Sequence, residues 1–241
     1  SNYAADLGTR LRERVYEQVV PSISVAMAKR IQKDSALTSE SLQTAYALTL
    51  RTLFRILFQA YAEDRGLLPA GRNQGFDENS LKTLAKKLMS VSENEFGQNT
   101  DIWQSLTKVW QAIDQGNPDW NVPAYNGGLF GQDQELHPEG YLLSQISITD
   151  TIMGPALQAL LIDLTEEGVN GPVDFRSLSV REFGTIYEGL LESSLSLAEV
   201  DLTVDASEAW VPAKPGEGII VEAGEPYFHS SSGERKATGS Y

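Results

Sequence analysis

The sequence predicts a mainly α protein: an irregular helical bundle followed by a small C-terminal antiparallel β-hairpin. Three observations carry that reading. Apolar residues recur at three-to-four spacing through most of residues 3–195. Ser/Thr caps and Gly/Pro stops bracket those stretches. Near residue 196 the pattern changes to alternation around a Pro/Gly turn. With 241 residues, 41% of them hydrophobic, the chain can bury a sizeable core. The expected division is a helical domain over 3–195, then a hairpin and linker over 196–241.

Residues 4–32 read as helix, with Leu7, Leu11, Val15, Val19, Ile23, Met27 and Ile31 on one stripe and Pro21 expected to kink or split it. Thr38 or Ser39 caps a second, stronger helix running to about Arg65, where Gly66 and Pro69 stop it. Leu42, Tyr46, Leu50, Leu53, Phe54, Leu57 and Tyr61 share its apolar face, and Arg51, Arg55 and Arg65 gather opposite. A loop over 70–79 precedes a short helix over 80–91, and 92–100 is another loop. Asp101 opens a helix through Trp103, Leu106, Trp110 and Ile113 that Gly116-Asn117-Pro118 closes. Residues 118–141 read as irregular, held down by Tyr125, Leu129 and Phe130. A buried helix over 147–164 bends at Gly154-Pro155. Ser179 and Glu182 have capping-box spacing at the head of a further helix, with Phe183, Ile186, Tyr187, Leu190 and Leu191 on its apolar side. After Leu197, the alternating Val200, Leu202 and Val204, a turn over 213–218 and Ile219-Ile220-Val221 read as the hairpin.

Thirty-three acidic against nineteen basic residues give a formal charge of -14, which repels polyanions at long range. Clustered arginines still act locally, because distant acids are screened beyond roughly 8 Å. No apolar run approaches the roughly 20 residues that cross a bilayer, so no membrane partner is expected and the expected compartment is the cytoplasm. Without cysteine, and with only His137 and His229 far apart in sequence, no structural metal is expected.

Several constellations have both a structural and a functional reading. Arg51, Arg55 and Arg65 read first as a solvated face neutralising nearby acids, and alternatively as a grip on a phosphate backbone or an acidic partner. Arg235 and Lys236, in a polar turn, join them as candidate contacts. Asp64 falls on the apolar side near a helix C-terminus, where the macrodipole disfavours an anion, so an Arg partner or local unwinding is expected. Gly127, Gly128 and Gly131 lack the Lys-Ser/Thr pair of a phosphate cradle and read as an aromatic-anchored turn. Glu188 and Glu192, one turn apart, read as solvated carboxylates. Glu234-Arg235-Lys236 matches half of a nuclease signature in the wrong context. No Asn/Asp-Pro-Pro-Tyr/Phe segment occurs, so no catalytic residue is assigned.

Four segments in order carry a resemblance. They are Leu11-Arg12-Glu13-Arg14-Val15-Tyr16 with Val20-Pro21; the stretch from Leu53-Phe54-Arg55 through Ala62-Glu63-Asp64-Arg65-Gly66-Leu67-Leu68-Pro69; Tyr125-Asn126-Gly127-Gly128-Leu129-Phe130; and Phe183-Gly184-Thr185-Ile186-Tyr187-Glu188-Gly189-Leu190-Leu191-Glu192, with the Arg235 to Tyr241 ending. The chain resembles the helical region upstream of the catalytic domain in large bacterial adenine-N6 DNA methyltransferases of the type IIG restriction-modification and phage-exclusion kind. The resemblance implies that Thr238-Gly239-Ser240-Tyr241 begins the S-adenosylmethionine site. Thr238 and Tyr241 would then lie near that cofactor in the intact protein, although the chain alone would bind none. It also implies that the partners are DNA, through the intact protein, and an intramolecular methyltransferase domain, and that any nuclease acids lie before Tyr3. A reading from another class is an acidic helical protein-interaction module, or a DNA mimic, with no enzymatic role.

Overall fold

The computed structural model describes residues 2–164, 168 and 170–230. The chain opens with α1 (Asn2–Arg14), a π-helical turn (Val15–Val19) and α2 (Val20–Gln32) in unbroken succession. Pro21 has no N–H to give the preceding turn. The wider π turn, in which the Val20 N–H reaches Val15 O, carries the helix past it. The expected kink is therefore absorbed as a π turn. Leu11, Val15, Val19, Ile23 and Met27 are fully buried on the stripe their spacing predicts.

The central element is α3 (Ser39–Asp64). Thr38 caps it by accepting from the Ser41 amide, and Ser41 Oγ returns the bond to the Thr38 N–H. At the far end Gly66 adopts φ +74°, and the Leu67 amide turns back to Ala62 O. The side of α3 carrying Thr49, Thr52, Gln59 and Glu63 is fully buried, whereas Phe54, Phe58 and Tyr61 are only half-buried. Thr49 and Thr52 satisfy their hydroxyls on Ala45 O and Leu48 O, one turn back.

The short α4 (Gln74–Asp77), α5 (Leu81–Leu88) and α6 (Asp101–Gln115) follow. The stretch read as irregular over 118–141 contains a 3-10 turn (Pro118–Trp120) and the start of α7 (Pro138–Ser144). Pro138 at the first helical position has the backbone angle a helix needs and no amide to waste. α8 (Asp150–Leu161) keeps Pro155 in its interior and Gly154 against Phe96, whose ring would lie 2.5 Å from any added Cβ. It stops three residues earlier than expected. Residues Ile162–Leu164 instead form β1, antiparallel to β2 (Asn170–Pro172), and Asp163 is held by Arg10 and Arg14 of α1.

Ser179 and Glu182 form the expected capping box on α9 (Val180–Leu191). Beyond it the strand pairing departs from the sequence reading. β3 (Ser193–Leu197) pairs antiparallel with β6 (Pro226–Ser230), and β4 (Leu202–Val204) with β5 (Trp210–Pro212). Asp205 closes the second hairpin early, its carboxylate accepting from the Ser207 and Ala209 amides while Glu208 turns at φ 62°. Val221 is left with one bridge to Leu202, and Ile219 and Ile220 stay exposed. The β3–β6 ribbon lies against the helices through Tyr46, which stacks on Phe228 and donates to Leu190 O at 2.5 Å. No helix among the described residues is long and apolar enough to cross a membrane.

Candidate functional site

Arg51 and Arg55 do not form the outward contact face that the helical projection offers. Arg55 is 1% exposed; its Nε donates to Leu129 O at 2.7 Å and its Nη2 to Gly131 O at 3.3 Å. The guanidinium carbon lies 5.1 Å from the Trp110 ring centroid and 5.6 Å from that of Phe130. Arg51 donates through Nη1 to Gly128 O and Leu129 O and pairs with Glu139. Together the two arginines clamp the Gly128–Gly131 backbone onto α3. Folding a glycine-rich loop inward leaves carbonyls that need donors, and these cations supply them. Gly140 makes room for the clamp, since a Cβ there would overlap the Gly131 carbonyl oxygen. Burial, together with the neighbouring Arg51, pulls Arg55 down to about 10, with Asp114 opposing.

The same geometry removes the phosphate-cradle alternative for the glycines. A cradle presents N–H donors, whereas this loop turns carbonyl acceptors towards arginines. Arg65 remains on the surface, its guanidinium 5.1 Å from the Tyr61 ring centroid. Arg235, Lys236, Thr238 and Tyr241 lie outside the described residues.

Asp64 finds lysine rather than arginine. Lys82 of α5 pairs with one carboxylate oxygen, and the Phe175 amide donates to the other at 2.8 Å. The more consequential acid is its neighbour Glu63, which sequence reasoning missed. It is 3% exposed and accepts from the Leu81 and Lys82 amides at 2.9 and 3.0 Å, and from Gln59 Nε2 at 2.9 Å. Glu63 thus holds the first turn of α5, where partial positive charge favours a carboxylate. Burial nevertheless raises its pKa against those three donors. A Gln one turn before a Glu, at the end of a helix whose inner side is small and polar, was the available signal.

The opposite side of α3 is open. Phe54, Leu57, Phe58 and Tyr61, with Leu67, Leu129, Val180 and Phe183, line an almost wholly apolar groove of about 360 Å³ between α3 and α9. Edge-on aromatic contacts fix its walls: Phe54 with Tyr187 at 5.4 Å, Tyr61 with Phe183 at 6.0 Å and Phe58 with Phe130 at 5.4 Å. Around it Val180, Leu191, Leu67 and Tyr187 are 76, 59, 55 and 46% exposed. Of the apolar side predicted for α9, only Ile186 and Leu190 are buried. Tyr16 supports the helix from beneath, donating to Ile186 O; a Cβ at Gly189 would overlap its hydroxyl. The arrangement offers exposed apolar area, and no acid, histidine or cation is among the residues that line the groove. Glu188 and Glu192 are exposed, and no group of three or more His, Cys, Asp or Glu among the described residues is placed to hold a metal.

Comparison of the chain with protein-family models, with curated proteins and with solved structures found no match.

Proposed function

We propose that this chain is the helical connector of a DNA adenine-N6 methyltransferase, and that it holds the S-adenosylmethionine-dependent domain through the groove between α3 and α9. One observation carries the reading. Among the described residues, parts of the four segments on which the family resemblance rests, far apart in sequence, converge around α9: Tyr16 lies beneath it, Phe54 to Leu67 and Leu129 form the facing wall, and Phe183 to Leu191 lie on the helix itself, the Arg235 to Tyr241 ending lying outside the described residues. The exposed apolar side chains there have no cover among the described residues. Such a patch, rimmed by polar residues, marks a protein contact rather than a DNA contact. With Arg51 and Arg55 spent inside, DNA binding falls to other parts of the intact protein. In that protein the methyl group of S-adenosylmethionine passes to the amino nitrogen of an extruded adenine.

The inward arginines and the charge of -14 equally favour a pure protein-interaction module, and the intact gene product distinguishes the two. On the methyltransferase reading, the codons after Tyr241 encode Tyr-Thr-Pro and then an Asn-Pro-Pro-Tyr-like segment. The purified product then transfers labelled methyl groups to adenine in duplex DNA, while residues 1–241 alone transfer none. If those segments are missing and no methyl transfer occurs, the interaction-module reading stands instead.

A further inference from the structure

A cavity of about 290 Å³ opens beside the arginine clamp, between α6 and the end of α7, with Arg55, Trp103, Lys108, Trp110, Gln111 and Gln132 in its wall. Three features set it apart. First, no carboxylate lines it, although the chain carries 33 acids. Second, the buried Arg55 charge is met by backbone carbonyls and the faces of Trp110 and Phe130, and by no carboxylate in contact. Its Nη1 makes no hydrogen bond and Arg55 makes no ion pair among the described residues; Asp114 acts on it only at longer range. The buried acids are treated differently: Asp163 is held by Arg10 and Arg14, and Glu63 by three donors. Third, Trp103 and Trp110 border it and so can report on it, although their indole Nε1 atoms are buried out of reach of anything in the cavity. Lys108, exposed and without an ion pair among the described residues, adds a second cation.

Donors and cations without acids are the composition of an anion site. We propose that this cavity binds a small phosphate-bearing molecule, with the phosphate drawn in by Arg55 and Lys108 and the remainder bonded by the glutamine amides. The volume exceeds that of bare phosphate and admits a phosphomonoester of sugar size. The titratable groups facing the bound phosphate are Arg55 and Lys108, with Asp114 and Arg51 behind the wall. The site is independent of the groove and of any methyltransferase role.

The test uses the four tryptophan indole N–H signals of the nitrogen-15-labelled chain, assigned with Trp120→Phe and Trp210→Phe. The titrants are inorganic phosphate, ribose 5-phosphate, ribose and a short DNA duplex, with sodium chloride at matched ionic strength. The expected result is a saturable shift of the Trp103 and Trp110 signals with both phosphates, no effect of ribose or chloride, and unmoved Trp120 and Trp210. Lys108→Glu, a surface change that leaves the thermal midpoint in place, then weakens ribose 5-phosphate binding at least tenfold. The proposal is overturned if no saturable shift appears by about 20 mM phosphate, weaker than any useful millimolar site. Equal shifts with chloride, unchanged affinity in Lys108→Glu, or tighter binding of the duplex at the same two signals overturn it as well.

Discussion

The two sides of α3 differ in what they hide: polar residues are buried among Leu48, Ile56 and Ala60 on one, and aromatic residues stay half open on the other. One side carries Thr49, Thr52, Gln59 and Glu63, and it is completely buried; the other carries Phe54, Phe58 and Tyr61, and it is half open. The buried polar side is tolerable because most of its groups are satisfied locally: the threonines on carbonyls one turn back, Gln59 Nε2 on Glu63, and Glu63 on the head of α5, with Gln59 Oε1 the exception. The aromatic side stays available because α9 covers it only partly. A helix so built is anchored by hydrogen bonds on one side and offers hydrophobic area on the other. On the proposed reading, stability and recognition are thereby separated on a single element.

Substitutions on the two sides separate these roles, and the largest effect is expected at the clamp. Arg55→Ala leaves the Gly131 carbonyl and the Trp110–Phe130 gap without their cation, and leaves Leu129 O to Arg51 alone. Hydrogen bonds to a charged group contribute about 1.5–3 kcal/mol each, so losing two should cost roughly 3–6 kcal/mol by urea unfolding. The loss should change little with salt; a strongly salt-dependent loss would mean the guanidinium is solvated. Gly140→Ala comes next. Its methyl must displace the Gly131 carbonyl from the clamp, and overpacking of this kind costs about 1–3 kcal/mol.

The pH dependence of the anchored side is smaller and has a definite sign. Because burial raises the folded-state pKa of Glu63, the folded chain holds that proton longer than the unfolded chain does. Stability from this group is therefore greatest below the ordinary glutamate pKa and falls as pH rises through the raised value. Glu63→Gln should flatten that slope, and an unchanged slope would assign it elsewhere. Asp163 runs the other way. Burial raises its pKa, but the bonds and charges of Arg10 and Arg14 outweigh that and hold it below the usual aspartate range. Its contribution is present above the ordinary value and is lost in stronger acid. On the open side, Leu191→Asp and Val180→Asp should change stability by less than about 0.5 kcal/mol, because both side chains are exposed.

What the sequence made legible was local. The Ser179–Glu182 box, the Thr38 cap and the Gly66 and Gly116 stops depend on residues three or four apart, and all are present. Elements set by distant partners were hidden. Ser193–Leu197 is serine-rich and becomes a strand through Pro226–Ser230; the Asp205 turn moved the hairpin partner from 219–221 to 210–212. Arg55 is the clearest case. On a helical wheel it is a surface cation, and only a loop seventy-odd residues away makes it interior. The groove was half legible, since Phe183, Tyr187 and Leu191 share an apolar side, but no local rule says how much of that side a neighbouring helix covers.

The central claim, that the exposed side of α9 holds a methyltransferase domain, is tested most directly by adenine methylation with the intact gene product carrying Val180→Asp and Leu191→Asp. The account predicts at least a tenfold loss of methyl transfer with an unchanged unfolding midpoint for residues 1–241. Full methylation by the doubly substituted protein would contradict it.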